Sequence, residues 1–281
     1  MITSSNNQQM KNIMQLQKKS KTRQQQRVFV VEGPKMVFEA PREWVEKVYV
    51  AESFFADEAA GTSSGSDYEY ETVSDAVFRS ISDTQTPQGI LALVRMPEYT
   101  LSDLLGRKEH SPNGENGNRQ MEAVSGKEGK MPHLLILESI QDPGNLGTML
   151  RTGEGAGITG VILNRTTVDL FNPKTIRSTM GSLYRVPFYV ADDLERIICE
   201  LKEQGIKVYA AHLRGTKSYD EPDYTKGTAF LIGNEGNGLT DETAALADEY
   251  IRIPMEGKVE SLNAAIAAAL LTYEVNRQRR I

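Results

Sequence analysis

The chain has 281 residues, of which 39% are hydrophobic and 25% are charged. This composition is typical of soluble globular proteins and excludes a disordered or fibrous chain, and the length is enough for two domains. The formal net charge of −6 argues, taken alone, against a nucleic-acid partner, because phosphate binding depends on Lys and Arg.

The cysteine and histidine content indicates the compartment. A single cysteine, Cys199, excludes an intramolecular disulfide and is typical of a reducing environment. The histidines, His110, His133 and His212, leave no clustered zinc-ligand pattern. The first residues lack the apolar stretch of a secretory signal, and no apolar run approaches the length of about 18 residues that a spanning helix needs. We therefore expect a soluble cytoplasmic protein.

Basic charge is concentrated near the N-terminus. Residues 1 to 35 hold seven basic side chains and one acid, Glu32, for a net charge of +6, so the rest of the chain carries −12. A chain that is acidic overall can therefore still present a basic patch to RNA. The alternative is an ordinary solvated amphipathic helix whose buried side holds Ile13, Met14 and Leu16.

Strand and helix signals alternate along the first 100 residues. The runs VFVVEG, KVYVAE, YEYETVS and QGILALVRM predict strands, with helices after Pro34 and over DAVFRSIS. Residues 1 to 100 therefore read as a small α/β domain. Residues 101 to 132 are predicted to be a flexible linker, because Gly106 to Pro132 contains five glycines, two prolines and no apolar period.

A second α/β domain is predicted over residues 133 to 281. Buried strands are expected at LLILES, GVILNR, KVYAAH, AFLIGNEG and YIRIP, and helices over 146–157, 173–183, 193–204, 241–247 and 261–279. Alternating strands and helices imply a parallel sheet that is covered on both faces. Ligands of such sheets bind where the loops leave the carboxyl ends of the strands.

The loop after LLILES leads into a glycine-rich helix. Asp142-Pro143-Gly144-Asn145 predicts a turn with Asn145 as the helix cap. Arg151 is then expected on the first turns of the helix, where a cation opposes the helix dipole, which favours a functional role over a structural one. The spacing of this loop matches neither a dinucleotide-binding nor a P-loop motif, so NAD and ATP lose support.

Two further loops carry polar residues in unusual settings. In LIGNEGNGLTDE, three glycines surround Asn234 and Glu235 directly after a strand, and Thr240 is expected to cap the next helix. In the last helix, Ser261 is the predicted cap, and Asn263 is a polar amide that must find partners. The buried stripe of this helix is predicted to comprise Leu262, Ala265, Ile266, Ala269, Leu270 and Tyr273.

These loops resemble a known family. NLGTMLR, GNEGNG and IPMEGKVESLN are similar to motifs 1, 2 and 3 of the SpoU (TrmH-like) family of RNA ribose 2′-O-methyltransferases, from about Leu134 to Arg279. Residues 9 to 96 resemble the family's N-terminal substrate-binding domain, which is similar to ribosomal protein L30e. One departure is that Gly153, Gly155 and Gly157 stand where the family commonly has alanines, which predicts a softer helix.

The resemblance implies a trefoil-knotted α/β methyltransferase domain, a homodimer, S-adenosylmethionine as cofactor and no metal. Motif matching implies that the cofactor is held by Gly233, Asn234, Gly238, Ile253, Met255 and Leu262. It implies that catalysis rests on Arg151, assisted by Asn145, Glu235, Ser261 and Asn263. The expected RNA-backbone contacts are Lys18, Lys19, Lys21, Arg23 and Arg27.

The leading hypothesis is therefore methylation of ribosomal RNA, which the two-domain layout favours over transfer RNA. Two alternatives remain open, a transfer-RNA 2′-O-methyltransferase and a non-catalytic RNA-binding assembly factor that retains the fold. The set Asn145, Arg151, Glu235 and Asn263 speaks against the non-catalytic alternative.

Overall fold

The computed structural model describes residues 1–54, 68–106 and 130–280. Most of the predicted linker, residues 107–129, lies outside the described residues. The chain divides into two compact units. The first comprises Met1–Pro97 with Phe171–Tyr184, and the second comprises Glu98–Leu170 with Arg185–Ile281. Within the described ranges, no helix has the length and apolarity needed to cross a bilayer.

The described elements follow one another in this order. The N-terminal part contains α1 (Gln8–Lys18), α2 (Ser20–Gln26), β1 (Val28–Glu32), α3 (Pro34–Phe38), a 3-10 turn (Arg42–Trp44), β2 (Val45–Ala51), β3 (Tyr70–Val73), α4 (Asp75–Ile81) and β4 (Ile90–Arg95). The remainder contains α5 (Leu101–Leu104), β5 (His133–Leu137), α6 (Pro143–Ala156), β6 (Gly160–Asn164), α7 (Pro173–Thr179), a 3-10 turn (Ser182–Tyr184), β7 (Phe188–Ala191), α8 (Leu194–Glu203), β8 (Lys207–Ala211), β9 (Lys217–Ser218), β10 (Thr228–Ile232), α9 (Asp241–Ala245), β11 (Glu249–Arg252) and α10 (Ala264–Arg279).

The first unit is built on a sheet with the strand order β1-β4-β2-β3. Strand β4 runs antiparallel to β1 and β2, whereas β3 runs parallel to β2. Helix α1 begins where the Asn7 side chain accepts from the Gln9 amide, and it buries Met10, Ile13 and Leu16. The basic N-terminal segment is thus an amphipathic helix with a buried side, as one of the two interpretations predicted, although Met14 is only partly buried and Met10 takes its place.

The segment Phe171–Tyr184 belongs to the first unit although it follows β6 of the second. The Phe171 ring lies 4.8 Å from that of Phe29, and the Tyr184 hydroxyl donates to the Met36 carbonyl at 2.8 Å. The first unit therefore includes a later segment of the chain, whereas the sequence predicted that the first domain comprises residues 1 to 100 alone. Helix α7 also ends earlier than the expected residue 183, because Met180 adopts a left-handed φ of 51°.

The second unit contains the predicted parallel sheet. Seven described strands pair in the order β7-β6-β5-β10-β8-β11-β9, all parallel. Strands β5 and β10 are buried along their whole length and lie at the centre. The sequence did not predict β7 and β9, which lie at the two edges. They are short, with four and two residues, and a short edge strand leaves little hydrophobic periodicity.

The predicted stripe on α10 is wrong in part. The helix buries Ala265, Ala268, Leu271 and Val275, whereas Ile266 and Tyr273 are 50% and 48% exposed. Apolar side chains occupy both faces of this helix, so the 3.6-residue period alone did not identify the face that enters the core.

The three glycines near the end of α6 each have a structural reason. A Cβ on Gly153 would lie 2.4 Å from Ile158 Cδ1, and one on Gly155 would lie 2.8 Å from the Tyr273 hydroxyl. Gly157 ends the helix with a left-handed φ of 84°, a conformation that glycine adopts at low cost. Close packing at Gly153 and Gly155 and the helix end at Gly157 therefore account for glycines that the sequence suggested would soften the helix.

Candidate functional site at the carboxyl edge of the parallel sheet

A cavity of about 290 Å³ lies where β8, β10 and β11 end. Its walls come from the loops after these strands and from the start of α10. The six residues expected to hold the cofactor, Gly233, Asn234, Gly238, Ile253, Met255 and Leu262, all line it, together with Glu235 and Ser261. Two of the three loops that the sequence singled out, those after β10 and β11, thus meet at one cavity.

The loop after β10 is closed by backbone and side-chain hydrogen bonds. Asn234 and Gly238 exchange backbone hydrogen bonds of 3.0 and 2.9 Å. The Asn234 carboxamide oxygen accepts from the amides of Gly236 and Asn237 at 2.9 and 3.0 Å. A Cβ on Gly233 would lie 2.1 Å from the Gly238 carbonyl carbon. Only glycine at position 233 therefore allows the loop to fold back on itself.

Glu235 links this loop to the loop after β5. Its carboxylate accepts from the amides of Gln141 and Asp142 and from the Asn145 carboxamide, each at 3.0 Å. Burial raises the pKa of Glu235, but these donors outweigh burial and hold the pKa below its ordinary value. The side chain is therefore an ionised acceptor that ties two loops together.

Asn145 and Asn263 extend the connection to α10. Asn263 Nδ2 donates to Asn145 Oδ1 at 2.9 Å, while Asn263 Oδ1 accepts from the amides of Ala265 and Ile266 at 2.9 and 3.3 Å. Glu235, Asn145 and Asn263 thus form one chain of hydrogen bonds across all three loops.

The structure corrects two predicted helix caps. Asn263, and not Ser261, caps α10. Asp142, and not Asn145, caps α6, because its side chain accepts from the Asn145 amide at 2.9 Å. Short polar residues are equivalent as cap candidates in sequence, and only backbone geometry distinguishes them. The expected cap at Thr240 is confirmed.

Arg151 occupies a different position in its helix from the one expected. Because α6 begins at Pro143, Arg151 lies in the middle of the helix, where the dipole no longer matters. It stands six residues beyond Asn145, about 9 Å along the axis. Arg151 is exposed, and no hydrogen bond or ion pair engages it within the described part of the chain. Its guanidinium is therefore available to a ligand.

Sequence reasoning missed a polar cluster beside these loops. Ser139 has a left-handed φ of 56°, and its amide donates to Asn164 Oδ1 at 2.9 Å. The Ser139 carbonyl accepts from Asn234 Nδ2 at 2.9 Å, and the Ser139 and Thr166 hydroxyls lie 2.6 Å apart. The available signal was that Ser139 and Asn164 lie at the carboxyl ends of neighbouring strands.

Glu138 was also missed. This buried carboxylate accepts from the Thr240 amide and hydroxyl at 2.9 Å each and from the Thr243 hydroxyl at 2.5 Å. It therefore attaches the start of α9 to the end of β5. A charged residue at the end of an apolar strand was the signal that could have revealed it.

The five expected RNA contacts do not share one environment. Lys18, Lys19, Lys21 and Arg27 are exposed. Arg23 is only 3% exposed, and its guanidinium donates to the carbonyls of Leu16 and Gln17 at 2.5 and 3.0 Å. The prediction for Arg23 is therefore wrong, because this side chain satisfies carbonyls at the end of α1 instead of facing a phosphate.

Over the described ranges, the structure contains no group of three or more His, Cys, Asp or Glu side chains that could hold a metal ion.

Comparison with known proteins gives the family. Residues 132–273 match the model of the SpoU rRNA Methylase family, and residues 7–92 match the MRM3-like substrate binding domain. The chain belongs to the SpoU rRNA methylase family. The resemblance of the three loops to SpoU motifs is thereby confirmed, as is an α/β fold with a parallel-sheet methyltransferase domain after a substrate-binding domain.

Some relatives match the chain over almost its whole length. The chain is 34% identical to the 23S rRNA (guanosine(2553)-2'-O)-methyltransferase RlmP of Bacillus subtilis (strain 168), over 98% of each chain. It is also similar to the crystal structure of an AdoMet-bound rRNA methyltransferase from Sinorhizobium meliloti, with 29% identity, a TM-score of 0.78 and coverage of 98% and 97%. The AdoMet complex of the SpoU methyltransferase AviRb from Streptomyces viridochromogenes, at 23% identity, a TM-score of 0.78 and coverage of 98% and 99%, shares the fold.

Proposed function

We propose that this SpoU-family protein transfers a methyl group from S-adenosylmethionine to a ribose 2′-hydroxyl of ribosomal RNA. The observation that carries the proposal is the hydrogen-bonded chain Glu235–Asn145–Asn263, which joins the three motif loops beside the cavity. The name of the B. subtilis relative, which spans both domains, supports ribosomal RNA as the substrate.

The cavity fits the proposed cofactor. Leu239, Ile251, Ile253 and Leu271 supply apolar walls, as a flat adenine ring requires. The folded-back loop at Gly233 brings backbone groups to the same surface. S-adenosylmethionine supplies an electrophilic methyl group when bound, so the protein has only to orient the ribose hydroxyl and assist the loss of its proton.

We assign Arg151 to the reacting hydroxyl. A guanidinium remains protonated, which makes it a poor base, and its charge suits orientation of the ribose and stabilisation of the developing alkoxide. Glu235 already accepts from three donors, so it serves to position Asn145 and the loop after β5. Asn263 positions Asn145 from the other side, and Ser261 lies in the cavity wall.

We further propose that RNA phosphates contact the exposed side chains Lys18, Lys19, Lys21 and Arg27 of the substrate-binding unit. Because α1 also supplies buried side chains to that unit, charge reversal tests this role better than deletion. Lys18→Glu with Lys21→Glu is expected to weaken RNA binding and to flatten its salt dependence, while leaving cofactor binding unchanged. Equal loss of both would contradict the assignment.

A homodimer is proposed from the outer face of α10. Ile266 and Tyr273 are half-exposed large apolar side chains on this helix, and a second copy would cover them. Sedimentation of Ile266→Asp is expected to show a monomer, and an unchanged dimer would refute this interface.

We also propose that the methyltransferase domain has a trefoil-knotted arrangement and that the protein is cytoplasmic. Strand β10 lies between β5 and β8 in the sheet, and Asn276 of the last helix donates to the Ala156 carbonyl at the end of α6 at 3.0 Å. Both observations agree with a chain whose end returns to its first motif. Ribosomal RNA as substrate supports the cytoplasmic location.

The proposed function is tested by transfer of a labelled methyl group from S-adenosylmethionine to RNA, followed by mapping of ribose methylation in cells with and without the protein. Arg151→Ala is expected to lower transfer by about a hundredfold or more while cofactor affinity, measured by calorimetry, stays nearly intact. Full activity of Arg151→Ala would contradict its role. Methylation of transfer RNA alone would contradict the substrate, and absence of cofactor affinity would instead support a non-catalytic assembly factor.

A further inference from the structure

His212 lines the same cavity but belongs to none of the three motif loops. It directly follows β8, whose carboxyl end lies at the edge of the sheet where the cavity opens. Its Nδ1 accepts from the Arg214 amide at 3.0 Å. A neutral imidazole that accepts at Nδ1 carries its proton on Nε2. The turn after β8 therefore selects the tautomer of this ring.

The ring is also held in place from the side. Its centroid lies 5.0 Å from that of Tyr250, with an angle of 33° between the planes. Over the described ranges, the hydrogen bond to the imidazole ring of His212 is the one at Nδ1, and Nε2 has no protein acceptor. A fixed ring in a cavity wall thus retains one donor that the protein leaves unused.

The charges around His212 favour the uncharged ring. Burial and the nearby Arg214 lower the pKa of His212, and Asp241 only partly opposes them, since it forms an ion pair with Arg214. Arg252 and Glu260 line the same cavity. With a pKa below its ordinary value, the imidazole is neutral at neutral pH and adds no charge beside a cationic sulfonium.

We propose that Nε2 of His212 donates a hydrogen bond to the adenosyl part of bound S-adenosylmethionine. This assignment rests on the proposed function. An uncharged donor suits the uncharged ring nitrogens and ribose oxygens of that part, whereas Arg252 in the same wall is the usual type of partner for a carboxylate. His212 is thereby a cofactor-specificity residue contributed by the β8 loop.

Two substitutions separate the two nitrogens of the ring. In His212→Asn, the carboxamide oxygen can replace Nδ1 as acceptor for the Arg214 amide, but nothing replaces Nε2. In His212→Gln, the longer side chain can place an amide donor near the Nε2 position, but the acceptor at Nδ1 is lost. The pair therefore distinguishes a ligand contact from a role in forming the turn.

Calorimetry with S-adenosylmethionine and with 5′-methylthioadenosine, which lacks the amino-acid part, provides the test. We expect His212→Asn to weaken both ligands about fivefold to tenfold and His212→Gln to stay within about twofold of the unsubstituted protein. The reverse order would overturn the proposal, because it would show that the turn matters instead. A loss confined to S-adenosylmethionine would overturn the adenosyl assignment. Failure of the unsubstituted protein to bind either ligand would contradict the proposed function itself.

Discussion

The polar side chains at the carboxyl ends and at the amino ends of the strands in the seven-stranded sheet make different kinds of contact. At the carboxyl edge, Glu235, Asn145 and Asn263 connect loops to one another and leave a cavity open. At the amino edge, Arg279 donates to the carbonyls of Tyr224, Met131, Pro132 and Lys226. One side chain thus donates to four main-chain acceptors at this end, although the Pro132 and Lys226 carbonyls also accept from Thr228.

The amino edge also contains His133, which is 1% exposed and whose Nε2 has no hydrogen-bond partner among the described residues. Burial and the proximity of Arg279 lower the pKa of His133 to about 3. We expect the enclosed polar residues at the amino edge to serve stability and those at the carboxyl edge to serve the proposed ligand binding. Substitutions at the amino edge should therefore lower stability, and substitutions at the carboxyl edge should lower methyl transfer.

The largest effect is expected at the amino edge. Arg279→Ala removes charge-assisted hydrogen bonds to four carbonyls and should lower the free energy of unfolding by about 3 kcal/mol. Urea denaturation measures this change, with Arg279→Lys as the control that keeps the charge but loses the fork of donors. Cofactor affinity of the folded variant should be unchanged, and a selective loss of affinity would abolish the contrast between the edges.

Glu235→Gln should show the opposite phenotype. The amide group of Gln cannot accept from all three donors that Glu235 now satisfies, so the loop after β5 shifts and methyl transfer falls about a hundredfold, or about 2.7 kcal/mol in activation free energy. Initial rates and thermal unfolding are measured together. A variant that loses stability while retaining its rate would place Glu235 with the structural edge.

His133 gives the amino edge a pH dependence. Its folded pKa of about 3 lies below the unfolded value of about 6.5, so the unfolded state binds more protons as the pH falls through this range. As the pH falls below about 6.5, the free energy of unfolding should then decrease by up to about 1.4 kcal/mol per pH unit. In His133→Phe this contribution disappears, so the free energy of unfolding, measured between pH 7 and 5, should depend less on pH than in the unsubstituted protein. If the free energy of unfolding changed equally with pH in the two proteins, His133 would not be the source of the pH dependence.

The smallest effect is expected at Asn263, where one substitution separates the capping of α10 from the hydrogen bond to Asn145. Asn263→Asp keeps the oxygen that caps α10 but loses the donor to Asn145. Stability should remain within about 0.5 kcal/mol, whereas methyl transfer should fall about fivefold, as expected for one hydrogen bond of about 1 kcal/mol. Asn263→Ala loses both functions and should lower both quantities. An active Asn263→Asp would limit Asn263 to capping.

Local patterns were sufficient for the central part of the fold. Continuous apolar runs identified β5, β6, β8 and β10, because strands buried on both faces leave an unbroken signal. They did not identify the edge strands β7 and β9, nor the assignment of Phe171–Tyr184 to the first unit. These depend on contacts between residues that lie far apart in the sequence.

The sequence by itself determined the three motif loops and, through their resemblance, the family, because glycine spacing and short motifs are local properties of the chain. Only the tertiary structure decided which polar side chain performs which task. It made Asn263 a cap and a link, buried Arg23, left Arg151 exposed and brought His212 to the cavity. Hydrogen bonds such as that between Asn145 and Asn263 join residues 118 positions apart, and no local pattern encodes a partner at that distance.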